Sequence, residues 1–172
     1  MFHLLPSKHH LAQFIVALGL AVSAVAVPVA TAKDAHPHVE TKGAFEDVLQ
    51  DLKDAIVNRG YVVDFVGHVD TMLDRTSDAS KSITETGSRS PYLNAKYVQF
   101  CSAKLTHEAV SANPYNVVIC PHVIFAFEDK AKPGRIIVGY RRPEPGPSKR
   151  SRTAFAKVDD LLMAIIKDAT GK

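Results

Sequence analysis

Residues 45–66 read F-E-D-V-L-Q-D-L-K-D-A-I-V-N-R-G-Y-V-V-D-F-V, and the change of period inside this stretch decides the fold. Phe45, Val48, Leu49, Leu52 and Ile56 recur at i, i+3, i+4, i+7 and i+11, which places them on one stripe of a helix over 45–59. Glu46 and Asp47 in the first turn and Arg59 in the last complement the helix dipole. Gly60 is the residue expected where a helix ends in the left-handed conformation. Tyr61 to Val66 then turns β-branched and aromatic, the composition of a strand.

Toward the C-terminus, Val69 to Arg75 fits a short helix with Met72 and Leu73 turned inward. Thr76 to Ser90 is nearly all Ser, Thr, Asp, Gly and charge, and is expected to be disordered or a surface lid. Tyr97 to Cys101 reads as a second strand, and Leu105 to Ala112 as a short helix ending near Asn113-Pro114. Val117 to Cys120 begins a third apolar stretch that Pro121 interrupts. His122 to Glu128 continues as strand, Lys132-Pro133-Gly134 turns, and Arg135 to Tyr140 returns as its hairpin partner. Residues 141–152 look like a Pro-rich basic linker, in which Arg141, Arg142, Lys149, Arg150 and Arg152 are solvated charge. Thr153 to Thr170 is helical again, with Phe155, Val158, Leu162, Ile165 and Ala169 on one face to cover a sheet. Helices and strands in this order, with a late antiparallel hairpin, specify an α+β domain over 45–170. Its expected form is two layers, a mostly antiparallel sheet with helices packed on it.

Toward the N-terminus, residues 33–44 are polar and broken by Pro37 and Gly43, a flexible leader with room for a short edge strand near Val39. Ahead of them, Lys8, His9 and His10 precede an unbroken small and apolar run from Phe14 to Val27. Ala30-Thr31-Ala32 supplies the small-x-small pattern of signal peptidase sites, so residues 1–32 read as a cleavable signal peptide. The run is shorter than the roughly 20 residues of a spanning helix. The mature protein is expected in the periplasm or secreted, and not integral to a membrane. It retains 20 Lys and Arg against 18 Asp and Glu, since the signal removes Lys8 alone. That balance points away from nucleic acid as a partner.

Candidate chemistry rests on Cys101, Cys120 and His122. An even cysteine count in an oxidising compartment makes a disulfide the default. With 18 residues between them, a bridge would contribute about 3 kcal/mol by the chain-entropy model. Two thiolates with the His122 imidazole would instead make three of four ligands for zinc, or a set for copper or haem iron. Two plain buried thiols are the third alternative. Residues two apart share a strand face only where the strand is regular, and Pro121 lies between Cys120 and His122. His68 follows Gly67 at a strand end, and His107 sits beside Glu108 on a short helix, so both read as surface residues. Asp34-Ala35-His36 would chelate copper or nickel only if Asp34 were the first residue, and cleavage after Ala32 leaves Lys33 first. No Gly-rich phosphate loop, Gly-x-Ser-x-Gly elbow or Cys-x-x-Cys pair occurs, so the sequence assigns no cofactor and no catalytic constellation.

Taken together, Phe45-Glu46-x-x-Leu49 through Arg59-Gly60-Tyr61, Phe100-Cys101-Ser102-Ala103, Ile119-Cys120-Pro121-His122-x-Ile124-x-x-Phe127-Glu128, and Pro133-Gly134 with Val138-Gly139-Tyr140-Arg141 resemble the bacterial domain-of-unknown-function 302 family. The resemblance covers about residues 45–170. It implies an α+β fold, commonly dimeric, with no established activity and no catalytic residues to carry over. Where many members have Pro-Cys, this chain has Pro121-His122, with its own cysteine one residue before the proline. The expected function is a non-catalytic small-ligand or protein-binding module, using a groove on its sheet or a dimer interface. The alternative is a metal-, haem- or thiol-redox-linked protein using Cys101, Cys120 and His122. Edman sequencing of the exported protein is expected to begin at Lys33, and a chain that retains Met1 would overturn the signal assignment.

Overall fold

A computed structural model describes residues 36–81 and 89–172. The expected signal segment 1–32, Asp34 and residues 82–88 of the expected loop lie outside the described residues. The elements are β1 (His38–Thr41), α1 (Phe45–Val57), β2 (Val63–His68), α2 (Val69–Ser80), β3 (Tyr92–Phe100), α3 (Ala103–Ala112), a 3-10 turn (Pro114–Ile119), β4 (His122–Asp129), β5 (Ile136–Tyr140) and α4 (Lys149–Thr170). The strands form one five-stranded antiparallel sheet in the order β1-β5-β4-β3-β2. The two-layer α+β architecture is thus as the sequence specifies. No helix among the described residues is long and apolar enough to cross a membrane.

The expected stripe of α1 is buried as read: Phe45, Val48, Leu49, Leu52 and Ile56 all lie in the core. Gly60, at φ 81°, closes the helix. Its N–H donates to the Val57 carbonyl at 2.8 Å, and the Tyr61 N–H donates to the Ile56 carbonyl at 3.3 Å, the paired bonds of a Schellman end. Tyr61 and Val62 complete this turn, so β2 begins at Val63 rather than Tyr61 and runs on to His68.

Register sorts the strands into two faces. Val66, Val98, Phe100, Ile124, Ala126, Val138 and Tyr140 pair along one face, and there α1 and α4 cover them. From α4 come Phe155, Val158, Leu162, Ile165, Ile166 and Ala169, an apolar stripe at helical spacing. Phe65, Gly67, Tyr97, Gln99, Val123, Phe125, Phe127, Ile137 and Gly139 alternate onto the opposite face.

The edge strand expected near Val39 forms as β1 over 38–41, while other segments depart from the sequence expectation. Val39 is packed against the core, and the Pro37 carbonyl accepts the Tyr140 N–H at 3.1 Å. The helix after β2 continues to Ser80, into the stretch expected to be a loop or lid. Thr76 Oγ1 donates to the Met72 carbonyl at 2.8 Å and Ser80 Oγ to that of Thr76 at 2.9 Å, so these hydroxyls are absorbed by the helix. The apolar run Val117 to Cys120 is not strand; it falls mostly in the 3-10 turn, opened by Pro114 and by Asn113, whose Oδ1 accepts the Tyr115 N–H at 3.0 Å. The expected basic linker ends at Ser148, whose Oγ accepts the Ser151 N–H at 3.0 Å and caps α4 four residues earlier than the apolar pattern indicates. Lys149, Arg150 and Arg152 are therefore first-turn residues of a helix.

Leu162 is 1% exposed at the centre of the α4 stripe. Leu162→Ala is expected to lower the free energy of unfolding by about 2–5 kcal/mol, measured by urea denaturation. A change below about 0.5 kcal/mol would mean that α4 does not hold the sheet.

Candidate functional site

The chain between β3 and β4 carries the residues that the sequence singles out. Phe100 ends β3 in register with His122, which opens β4. Cys101 follows the first and Cys120 precedes the second by two, so the antiparallel pairing brings the cysteines together. Their Cα atoms are 5.6 Å apart and the sulfurs are joined as a disulfide. Ser102 then caps α3, its Oγ accepting the Leu105 N–H at 3.4 Å. The 3-10 turn is pinned by Asn116, only 4% exposed, whose Nδ2 donates to the Ala109 carbonyl and to Ser151 Oγ, both at 2.8 Å.

His122 does not join the sulfurs. Cys120 lies outside β4, so strand alternation does not relate the two residues, and the register turns His122 onto the helix-covered face beside Phe100. The two rings meet edge-on at 5.2 Å between centroids. The residue is 2% exposed, and neither Nδ1 nor Nε2 has a hydrogen-bond partner among the described residues. It borders a cavity of about 20 Å³ shared with Val118, Arg141 and Leu162. Bonded sulfurs offer no thiolate, and no group of three or more His, Cys, Asp or Glu side chains is placed to hold a metal among the described residues. His68 is exposed, and His107 is exposed beside Ser111 at 3.4 Å. His36, the imidazole of the Asp34-Ala35-His36 stretch, meets the Phe125 ring at 6.4 Å.

Two features escape the sequence reading. Tyr140, fully buried at the end of β5, donates its phenol proton to Asp159 Oδ1 of α4 at 2.6 Å. Arg142 Nε donates to the same oxygen at 2.7 Å and its Nη2 to Oδ2 at 3.1 Å, a bidentate grip. Burial, and then the bond to Asp159, push the Tyr140 phenol up to about 12, with Arg142 opposing. This cluster ties the last strand to the last helix.

The second feature is the open sheet face. Tyr97 lies over Gly67, its cross-strand partner, and a Cβ on Gly67 would come within 2.2 Å of the Tyr97 ring. Phe125 lies over Gly139 in the same way, and a Cβ there would come within 2.5 Å of the ring. Phe65 and Tyr97 meet at 6.0 Å, Phe125 and Phe127 stack at 6.2 Å, and Tyr92 meets Phe127 at 5.4 Å. The result is a flat aromatic row across three strands, β2, β3 and β4, with Phe65 53% exposed and Tyr97, Phe125 and Phe127 half-buried. A sequence signal existed in the alternation of Phe125 and Phe127, yet which face they take depends on register. Elsewhere, a groove of about 790 Å³ runs between α3 and α4, crossed by the Lys157–Glu108 ion pair at 2.5 Å.

Burial holds the His122 imidazole below its ordinary value of 6.5. Arg141 borders the same cavity, so an imidazolium there would also meet a second cation. Below about pH 6.5 the unfolded chain takes up a proton that the folded chain refuses, so this contribution to stability is present at neutral pH and lost on acidification. Urea denaturation is expected to show stability falling between pH 7 and pH 5, with a shallower fall in His122→Leu. Equal slopes in the two proteins would show that His122 takes up its proton as readily in the folded chain as in the unfolded one.

No protein-family model and no curated protein matches the sequence. Among solved structures, the chain is similar to the uncharacterized conserved protein DUF302 from Bacillus stearothermophilus, at 13% identity and a TM-score of 0.62. The match covers 79% of this chain and 98% of that one. The likeness is one of fold, and it is the fold of the family that the residues resemble.

Proposed function

We propose that this chain is an exported, non-catalytic binding module whose recognition surface is the open face of its sheet, and whose partner there is a second copy of the chain. The observation that carries the reading is the pair of rings lying over glycines, Tyr97 on Gly67 and Phe125 on Gly139. Glycine in a strand interior weakens the strand, so a pair of them beneath aromatic rings needs a reason beyond stability. Removing both Cβ atoms lets the rings lie down, and a ridged surface becomes a plane. Small-molecule sites are concave, whereas a plane of rings suits a protein surface.

Self-association follows from the same geometry. A flat row of rings is complementary to its own copy turned about a two-fold axis. Five strands at ~4.8 Å spacing and strands of about 20 Å give a footprint at the lower end of specific interfaces. The signal reading and the disulfide both fit an oxidising compartment.

Sedimentation velocity of the protein beginning at Lys33 is expected to show a dimer at micromolar concentration. Phe125→Glu, which puts a carboxylate in the middle of the row, is expected to yield a folded monomer. A wild-type chain that remains monomeric at several hundred micromolar would overturn self-association through this face.

A further inference from the structure

The 3-10 turn exposes more apolar surface than any other short segment described. Tyr115 is 85% exposed, Val118 71% and Val117 58%. Three such residues within four positions make a patch, whereas isolated apolar residues on a surface need no explanation. The segment is also held from three sides. The disulfide closes its C-terminal end at Cys120, Asn113 caps its start, and Asn116 fixes its inner side to α3 and α4. An exposed apolar turn with this much support is a fixed knuckle.

Cations flank it. The Asn116–Ser151 bond sets the knuckle against the first turn of α4, where Lys149 and Arg150 are exposed. On its other side Val118 shares its small cavity with Arg141, also exposed. Neither Arg141, Lys149 nor Arg150 has an ion-pair partner among the described residues. The nearby Arg142 is engaged by Asp159, and Arg152 by the Pro147 carbonyl. In the stretch 141–152 a single carboxylate, Glu144, stands against five cations. Two cations in the first turn of α4 also sit where the helix dipole is already positive, an arrangement that costs stability unless something negative is near.

We propose that this corner docks on an anionic lipid surface. Tyr115, Val117 and Val118 enter the headgroup layer, while Arg141, Lys149 and Arg150 meet lipid phosphates. Tyrosine suits that depth because its ring is apolar and its hydroxyl wet. A short apolar insertion alone binds weakly, and each basic residue near an anionic surface adds to it, so the two parts act together. The surface is distinct from the sheet face and does not depend on self-association.

The chain contains no tryptophan, so Tyr115→Trp introduces a unique fluorophore at the tip of the knuckle. With vesicles of phosphatidylglycerol and phosphatidylcholine, its emission is expected to shift to the blue and to be quenched by brominated acyl chains. Val62→Trp, at a position 72% exposed on another part of the chain, is expected to show neither change. Lys149→Gln with Arg150→Gln, in the Tyr115→Trp background, should weaken the partition by about tenfold or more, and 0.5 M salt should do the same. A circular dichroism spectrum identical to wild type verifies the fold of each variant. No spectral change with anionic vesicles overturns the proposal, as does equal binding to pure phosphatidylcholine. A shift produced by a soluble acidic peptide but not by vesicles would assign the corner to an acidic protein partner and overturn it as well.

Discussion

Burial of the α4 stripe against the sheet is the interaction on which the other features depend. Val158, Leu162, Ile165 and Ile166 fill the space above Ile124, Val138 and Tyr140, and nothing in the sheet itself could replace them. Without α1 and α4 the sheet would be bare on both faces and would expose most of its apolar residues. Because α4 is 22 residues long, it reaches from the 3-10 turn, which it meets through Ser151, to β1. The Tyr140–Asp159–Arg142 cluster adds direction to this packing. It fixes the helix in register with β5, which nonpolar contact alone would leave free to slide.

The same one-sided burial separates stability from recognition. Helix-facing positions such as Val98 and Ile124 are completely buried, while Tyr97 and Phe125, one residue away on their strands, are half-exposed. Alternation along a strand makes adjacent residues belong to different surfaces. His122 belongs to the buried surface. The residue that looked most like a ligand in the sequence is an imidazole in the core, packed against Phe100, and the two sulfurs are bonded to each other.

Much of the fold was legible because periodicity is a local property. The stripe of α1, the stop at Gly60, the hairpin of β4 and β5 and the stripe of α4 each follow from residues within one element. The errors fall where local preference and tertiary packing disagree. Ser and Thr residues at 76–80 favour loops in isolation, yet their hydroxyls bond back into α2. Val117 and Val118 favour strand, yet Pro114 and the buried Asn116 impose a tight turn and leave both valines outside. The candidate site was less legible for the same reason. That Cys101 and Cys120 are neighbours follows from the Phe100–His122 pairing, and that Tyr97 lies on Gly67 follows from the β2–β3 register. Register is a long-range quantity that no single segment contains.

The strand order has a consequence for when the molecule can form. The first strand, β1, pairs only with β5, whose residues follow about 95 positions later, and the helix that covers both comes after that. A chain emerging from its N-terminus therefore has no complete layer until nearly its last residue is available. Loop-closure entropy is spent before the contacts that offset it can form. Such a topology delays its own collapse.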